Sequence, residues 1–357
     1  INISNIDVVI VDEVSKSSFF DLLRPMLQGK MVILVGDHMQ LPPLYDLKHL
    51  RCDEKQSDFD GLDENIINPA KNEEYRKLVE TCFFKELYDK VLDSNKVMLD
   101  RQYRFHSQIM KLNPFYHGKL KLGDDNLDNR KDHNINMVIN GKTIISPDHH
   151  ICFVDCGDSF ESRLENTTSL VNEGEADVVK ALLRQIAQHV GAKNNLSVGV
   201  ICTYGMQAAI IKRKIRNDKS LIDLRNRATE RLIVSTVDDF QGDERDIIIL
   251  SMVRNPMAWK RPGRNYNLDF IKAYERINVA ITRPRRLLII VGAKEFLARK
   301  ACVDLPDENG KLKPNVPVFQ NIISVINKEG HVVFMDDIID FGKETRKVNN
   351  PKQRRIK

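Results

Sequence analysis

The stretch that decides the fold is Val8-Val9-Ile10-Val11-Asp12-Glu13, in which four β-branched residues run directly into two carboxylates. Such a run predicts a buried parallel strand, and an open α/β sheet binds ligands beyond the C-terminal ends of its strands. In the Walker B arrangement the first carboxylate holds Mg²⁺, usually through water, and the second deprotonates an attacking water. By itself the stretch fits equally well a strand that ends in a charged turn.

Five further apolar runs of the same type follow along the chain, at Met31–Val35, Val198–Cys202, Leu232–Val237, Ile247–Leu250 and Leu287–Val291. Helical periodicity separates them, over Glu175–Val190 and Met206–Ile215. Asn321–Asn327 resembles one more helix, and the apolar run His331–Met335 one more strand. This alternation predicts an α/β fold in which helices cover both faces of a parallel sheet.

Three stretches lack such patterns. Residues 46–74 are polar and predict a loop, and residues 123–148, rich in Asn, Asp and Gly, predict an irregular segment. Residues 303–317 contain three prolines and predict a linker.

Composition sets broad limits on function. The chain has 357 residues, enough for about two domains, and no apolar run reaches the roughly 20 residues that span a bilayer. The net charge of +5 permits a polyanionic partner without requiring one. The tail from residue 343 to 357 has seven Lys and Arg against one Glu, which is typical of a solvated, mobile end.

Six cysteines are present, and none has the CxxC spacing of a zinc or iron–sulfur site. Reduced thiols in the cytosol, or in the nucleus of a eukaryotic cell, are therefore expected. Cys152 and Cys156 are the only close pair, and because they flank Phe153-Val154 they are interpreted as strand residues.

A second buried run leads into Gly36-Asp37-His38-Met39-Gln40-Leu41-Pro42. The amide of Gln40 can donate to a phosphate and accept from a water, which suits a sensor of nucleotide state. Because this turn comes one strand after Asp12-Glu13, an incidental glutamine is the weaker interpretation.

Three more stretches complete the set of motifs. In Gln102-Tyr103-Arg104-Phe105-His106 an aromatic ring that can stack on a base adjoins an arginine that can clamp phosphate. The fourth stretch runs over Val234–Asp246 and the fifth over Arg276–Arg286. In the fifth stretch, an arginine between a helix and a strand can act as an arginine finger.

These five stretches, in this order, resemble the motifs of superfamily-one helicases, most closely the branch of the nonsense-mediated-decay helicase and its DNA-processing relatives. The likeness covers about residues 6 to 297. It implies RecA-like parallel sheets of the P-loop NTPase helicase fold, with a first lobe that is incomplete in this chain. It also implies residues 1–98 as the end of the first RecA-like domain, 99–300 as the second, and 301–357 as an extension with a mobile tail.

The resemblance also implies roles for matching residues in ATP hydrolysis. Asp12 would bind Mg²⁺, Glu13 would be the general base and Gln40 would sense the γ-phosphate. Arg104 and Arg283 would be arginine fingers. The remaining positions would contact the adenine (Tyr103), the nucleotide (Gln241, Gly242 and Glu244, the last near the ribose) and the nucleic-acid backbone (Thr236).

Asn172–Ala176 fits the family's Asn-x-x-Glu-Ala helix start, but two positions depart from the family pattern. Pro284 replaces the usual Ala after Thr-Arg, which can alter the approach of Arg283 because proline fixes φ and removes a donor. Cys202-Thr203-Tyr204 stands where the family favours Thr-Pro-Tyr, which weakens the case for a backbone contact there.

The motor also needs a GxxxxGK[ST] loop to hold the phosphates, and none precedes Asp12. Gly141-Lys142-Thr143 is not that loop, because the first glycine would fall on Asn136 and no helix pattern follows; a β-turn is expected instead. We therefore expect a C-terminal portion of a helicase that lacks its phosphate-binding loop and is inactive alone.

The complete protein is thus predicted to be an ATP- and Mg²⁺-dependent helicase or translocase, with 5′-to-3′ movement on single-stranded DNA or RNA. A monomer without a membrane partner is expected. Two alternatives remain open from the sequence. One is a non-catalytic nucleic-acid- or protein-binding module, which would have no chemical need for Glu13 and the arginines. The other is a motor fused to a nuclease domain.

Overall fold

A computed structural model describes residues 6–43, 82–164, 167, 169–190, 195–226, 231–257, 269–307 and 311–339. The chain divides into two compact units, residues 1–98 and 99–357. The stretch expected as a loop at 46–74 and the basic tail at 343–357 lie outside the described residues.

The first unit pairs two parallel strands, with Val9 beside Val32. Val14, Leu22 and Phe84 form its small core. In the part of this unit that the structure describes, Ile10 is 66% exposed, so the prediction that both faces of this strand are covered is wrong there. The elements are β1 (Ile6–Val11), α1 (Phe19–Met26), β2 (Gly29–Leu34) and α2 (Phe83–Lys90), with a 3₁₀ turn at Val14–Lys16.

The second unit opens with short elements that precede its main sheet. These are β3 (Arg101–Gln102), α3 (Ser107–Met110), β4 (Lys121–Leu122), α4 (Leu127–Arg130), β5 (Met137–Ile139) and β6 (Lys142–Ile145). The main elements follow: β7 (Ile151–Asp155), β8 (Ser162–Arg163), β9 (Leu170–Val171), α5 (Glu173–His189), β10 (Val198–Cys202), α6 (Gly205–Ile215), β11 (Leu232–Thr236), β12 (Arg245–Ser251), α7 (Asp269–Lys272), α8 (Tyr274–Ile281) and β13 (Pro284–Gly292). The chain continues through α9 (Lys294–Lys300), β14 (Val303–Pro306), β15 (Leu312–Val316), α10 (Val318–Glu329), β16 (His331–Phe334) and α11 (Met335–Ile338).

Six of these strands form one parallel sheet in the order β11-β10-β12-β13-β7-β16. Alternate strand residues face opposite sides. Ile249 packs into the core that α5 and α6 share, whereas Leu250 faces Ile277 of α8 and Phe319 of α10. Helices therefore cover both faces, which confirms the predicted α/β class. Among the described residues, no helix is both long and apolar enough to cross a bilayer.

Two predicted stretches need correction. Residues 303–317 are not a plain linker, since β14 and β15 pair antiparallel within them. Residues 123–148 are less irregular than expected, because they contain α4 and the hairpin of β5 and β6. Asn140 and Gly141 have φ of 51° and 76° between those strands, a two-residue hairpin turn. The β-turn expected at Gly141-Lys142-Thr143 is therefore present at Gly141, but Lys142 and Thr143 already belong to β6.

The segment expected as an extension after residue 300 also contributes to the sheet. Its strand β16 pairs with β7, and Val332 lies beside Phe153. Cys152 lies within β7, as expected, whereas Cys156 comes directly after the strand, so the interpretation as strand residues holds for Cys152 alone.

Candidate functional site

In the first unit, the residues that follow β1 and β2 lie side by side. The Val35 amide donates to the Val11 carbonyl at 2.8 Å, and the Val14 amide donates to the Val35 carbonyl at 3.1 Å. These bonds continue the pairing past both strand ends. Asp12-Glu13 and the turn that starts at Gly36 therefore share one edge of the sheet, as a nucleotide-binding edge requires.

Both predicted carboxylates of this edge are exposed. The Glu13 amide donates to Oδ1 of Asp12 at 2.8 Å. Glu13 has φ of 56°, which is uncommon for a residue with a side chain and is typical of strain stored at functional sites. Exposed carboxylate oxygens are the donors that Mg²⁺ prefers, with waters completing the shell, so the residues present fit that ion.

Gln40 is held by Asp37, a residue to which the sequence analysis gave no role. The Gln40 Nε2 donates to the Asp37 carboxylate at 2.8 Å, and the Asp37 amide donates to the Ser15 hydroxyl at 2.6 Å. Gly36 allows this approach, because a Cβ there would lie 2.7 Å from a methyl carbon of Val14. The Asp37 turn thus fixes the predicted sensor against the segment that carries Glu13.

In the second unit the predicted residues occupy opposite edges of the main sheet. Glu244 and Arg283 directly precede β12 and β13, at the N-terminal edge. Thr236 ends β11, at the C-terminal edge. The nucleotide and nucleic-acid residues expected from the sequence are therefore separated by the length of the strands.

Glu244 is bracketed by two arginines. The Arg104 Nε donates to one carboxylate oxygen at 2.7 Å, and the Arg285 Nε donates to the other at 2.9 Å. Partial burial acts to raise the pKa of Glu244, but the charges of both arginines outweigh it and hold that pKa below its usual value. Arg104 therefore shares a carboxylate with Arg285, a residue to which the sequence analysis gave no role.

Arg283 points into its own unit. Its side chain is buried, and its guanidinium donates to the Val279 carbonyl at 3.0 Å and to the Thr282 hydroxyl at 3.0 Å. Pro284 begins β13 opposite Arg245, with an irregular register beside it. The Arg104 guanidinium lies next to this segment, since its Nη1 donates to the Thr282 carbonyl at 3.4 Å. The Arg283 guanidinium is engaged within its own unit, and its role as a finger stays a prediction.

Tyr103 presents an exposed ring, 58% accessible, at the end of β3. The ring lies against Gly123, where a Cβ would fall 2.2 Å from a ring carbon. The Gly123 amide also donates to the Gln102 carbonyl at 2.8 Å, which extends the pairing of β3 with β4. Gly123 therefore leaves room for the Tyr103 ring, and no sequence pattern indicates this contact.

Gln241 and Gly242 occupy the tight turn before β12. Both side-chain amide atoms of Gln241 are buried and form no hydrogen bond within the described part of the chain. Gly242 has φ of +90°, a conformation that favours glycine. A buried amide without a partner costs about 1–3 kcal/mol, so it suits a residue that acquires a partner when a ligand or water binds.

Thr236 is engaged within its own loop. Its hydroxyl donates to the Asp239 carboxylate at 2.8 Å and accepts from the Asp239 amide at 3.3 Å. The structure thus places a carboxylate beside the residue expected at the nucleic-acid backbone.

Asn172 and Glu175 form a buried network at the C-terminal edge. Oε2 of Glu175 accepts from the Ser251 hydroxyl at 2.8 Å and from the Val253 amide at 2.9 Å, and Val253 has φ of 65°. Burial raises the pKa of Glu175 to about 8, although these two hydrogen bonds oppose the rise. The network thus stabilises the strained backbone of Val253, just after β12. Such strain is typical of functional sites.

Comparison with known proteins identifies the class. Two family models, both described as an AAA domain, match residues 1–46 and 79–295. Because the longer match covers more than half of the chain, the chain belongs to this family, and its motifs place it among the superfamily-one helicases with a RecA-like fold.

Among curated proteins, the chain is 29% identical over 334 residues to the DNA polymerase alpha-associated DNA helicase A of Saccharomyces cerevisiae, covering 88% of this chain and 43% of that protein. It is 28% identical over 315 residues to the DNA replication ATP-dependent helicase/nuclease DNA2 of Mus musculus, covering 82% and 25%. The chain thus spans less than half the length of these relatives. A solved arterivirus nonstructural protein 10 (helicase) is similar at 15% identity and a TM-score of 0.31, covering 79% of this chain and 38% of that one, too distant to bear on the assignment.

Proposed function

We propose that the complete protein is an ATP-dependent helicase or translocase that moves along single-stranded nucleic acid. The observation that carries the proposal is the grouping of Asp12, Glu13 and Gln40 at one strand edge of the first unit. The three side chains supply a metal ligand, a base and an amide, which is what hydrolysis of a phosphoanhydride requires.

Asp12 would hold Mg²⁺, which would supply positive charge to the phosphates. Glu13 would take the proton from the attacking water, and Gln40 would sense the γ-phosphate. Arg104 supplies charge to the γ-phosphate once it leaves Glu244, and Glu244 then contacts the ribose while Arg285 keeps it in place. Arg283 serves as a second finger after its inward hydrogen bonds are released, and Gln241 and Gly242 line the nucleotide.

The exposed Tyr103 ring stacks on the adenine in this proposal. Replacing Gly123 with alanine should then raise KM for ATP roughly 10-fold with little change in kcat, since the new Cβ displaces the ring and base stacking is worth about 1–3 kcal/mol. Steady-state ATP hydrolysis by the complete protein measures both constants.

Two controls sharpen that measurement. Lys121→Ala, on the same strand pair, should leave KM unchanged. Inhibition by inorganic tripolyphosphate, which has no base, should be the same in Gly123→Ala as in the wild type. An unchanged KM for ATP in Gly123→Ala would show that the ring does not hold the base.

We propose DNA as the principal substrate, because the two relatives are a DNA helicase and a DNA replication helicase/nuclease. The resemblance to the superfamily-one branch supports 5′-to-3′ movement. Thr236 then contacts the backbone at the C-terminal edge after exchanging its bond to Asp239 for a phosphate oxygen. RNA is the second substrate to test. The protein acts as a monomer. We place it in the cytosol or, in a eukaryotic cell, the nucleus, and the free thiols of the described cysteines support that location.

Unwinding of tailed duplexes by the complete protein tests this function. DNA and RNA duplexes with a 5′ or a 3′ single-stranded tail are compared at matched salt, because the affinity for a polyanion depends on salt. We expect ATP-dependent unwinding of the 5′-tailed DNA duplex. Efficient binding of all four substrates without any unwinding would favour a non-catalytic binding module.

The 357 residues contain no GxxxxGK[ST] segment. We therefore propose that this chain alone hydrolyses ATP negligibly, since it carries the base and the sensor without the amides that cradle the phosphates.

A further inference from the structure

Three buried histidines meet in the second unit, and none of them has a role in the proposed ATP hydrolysis, although His106 lies two residues after Arg104. His106 precedes α3 and His150 precedes β7, and their rings stack with centroids 3.4 Å apart and planes within 6°. His133 lies edge-on to His150, with centroids 4.8 Å apart. The group joins three segments that are distant in sequence.

Two carboxylates lie at the edges of this stack. Asp132 Oδ1 is 3.7 Å from Nε2 of His150, and Asp128 Oδ1 is 3.7 Å from Nε2 of His106. Asp128 also accepts from the Ser107 amide at 2.8 Å, so it is occupied in holding the start of α3. Ligand atoms of His106, Asp132 and His150 all lie within 4.8 Å of one another.

A backbone carbonyl orients the His150 ring. Its Nδ1 lies 2.6 Å from the Arg286 carbonyl, an acceptor, so Nδ1 carries a proton and Nε2 is the nitrogen left to bind a cation. Nε2 lies 3.7 Å from Oδ1 of Asp132, close enough for one ion to contact both atoms. His133 is different, because Nδ1 accepts from the Ile135 amide and Nε2 contacts the His149 carbonyl.

We propose that His106, Asp132 and His150 bind a divalent transition metal of the Zn²⁺ type. Two imidazoles and a carboxylate are a ligand set that zinc accepts, with water in the fourth position. The hydrogen bond from His150 to a backbone carbonyl is the outer-shell contact that fixes the tautomer of a metal-bound histidine.

Binding requires two local changes. Parallel rings do not aim both Nε2 lone pairs at one point, so one ring turns on its Cβ–Cγ bond. The Nδ1 of His106 accepts from the Gln108 amide at 3.2 Å, and ligation through Nε2 moves the ring proton to Nδ1 and ends that contact. The ion thereby ties the start of α3 to the segment after α4 and to the start of β7.

Isothermal titration of Zn²⁺ into the tag-free, chelator-treated 357-residue chain tests the site, and it does not depend on ATP hydrolysis. We expect one equivalent to bind and to raise Tm in a thermal scan. His150→Asn removes the ligand nitrogen, while its amide can still donate to the Arg286 carbonyl. Asp132→Asn removes the carboxylate charge at a half-exposed position. Each should weaken binding by at least roughly 10-fold, the lower end of what losing even an outer-shell partner costs.

His331→Asn is the matched control. His331 is half-buried and stacks with His149 at a centroid distance of 5.7 Å, and this change should leave Zn²⁺ affinity unaltered. Absence of Zn²⁺ binding by the wild type would overturn the proposal, and so would wild-type affinity in Asp132→Asn. If circular dichroism shows that His150→Asn does not fold, Asp132→Asn alone decides.

Discussion

Alanine in place of Arg104 should lower kcat for ATP hydrolysis by the complete protein about 10³-fold or more, the contribution that arginine fingers make. The guanidinium is partly exposed and is held by Glu244 through one ion pair, so it can transfer to a phosphate without breaking a buried network. The change also leaves Glu244 paired with Arg285 alone, and we therefore expect a smaller effect on KM than on kcat.

Two variants at position 104 separate the effect of the positive charge on kcat from the effect of the guanidinium geometry. Arg104→Lys keeps the charge but loses the planar fork that contacts two oxygens, so it should recover only part of kcat. Arg101→Ala removes an exposed arginine on the same strand and should leave kcat unchanged. A loss of kcat below 10-fold in Arg104→Ala would mean that this residue does not stabilise the transition state.

Periodicity predicted the elements of the main sheet well. Strand β10 and the C-terminal end of α6 were predicted at their observed residues, because buried strands and amphipathic helices have strong apolar patterns. The hairpin of β14 and β15 was missed, since its prolines and polar residues are typical of a linker. Two-residue strands such as β3 and β4 are too short for any period.

The contacts of the candidate site were likewise only partly predictable from the sequence. Motif order indicated Asp12, Gln40 and Arg104, but not that Gly123 supports the Tyr103 ring, since that contact joins residues twenty apart without a shared pattern. The Arg283 side chain points into its own unit because of the rotamer it adopts, and the neighbouring sequence does not determine that rotamer.

The burial of the Glu175 carboxylate could have been predicted from its position in the helix pattern. Glu175 lies three residues before Val178 and seven before Leu182, on the apolar face of α5. A carboxylate on such a face predicts a buried hydrogen-bonded group, because burying an unpaired one costs several kcal/mol. The strained Val253 that it holds could not have been found from sequence.

Glutamine in place of Glu13 should abolish most ATP turnover while ATP binding is kept. The amide has nearly the shape of the carboxylate, but it cannot take a proton from water, and general-base catalysis contributes about 10²–10⁴-fold. Glu13 is exposed beyond β1, so we expect the change to leave the fold intact. Glu86→Gln on α2 of the same unit is the matched control and should keep wild-type turnover.

The rate of ATP hydrolysis by the complete protein with and without single-stranded DNA, for wild type and Glu13→Gln, tests the central claim most directly. The account predicts DNA-stimulated hydrolysis in the wild type, a loss of at least about 10²-fold in Glu13→Gln with ATP still bound, and negligible hydrolysis by the 357-residue chain. Equal turnover by wild type and Glu13→Gln, or robust turnover by the 357-residue chain, would contradict it.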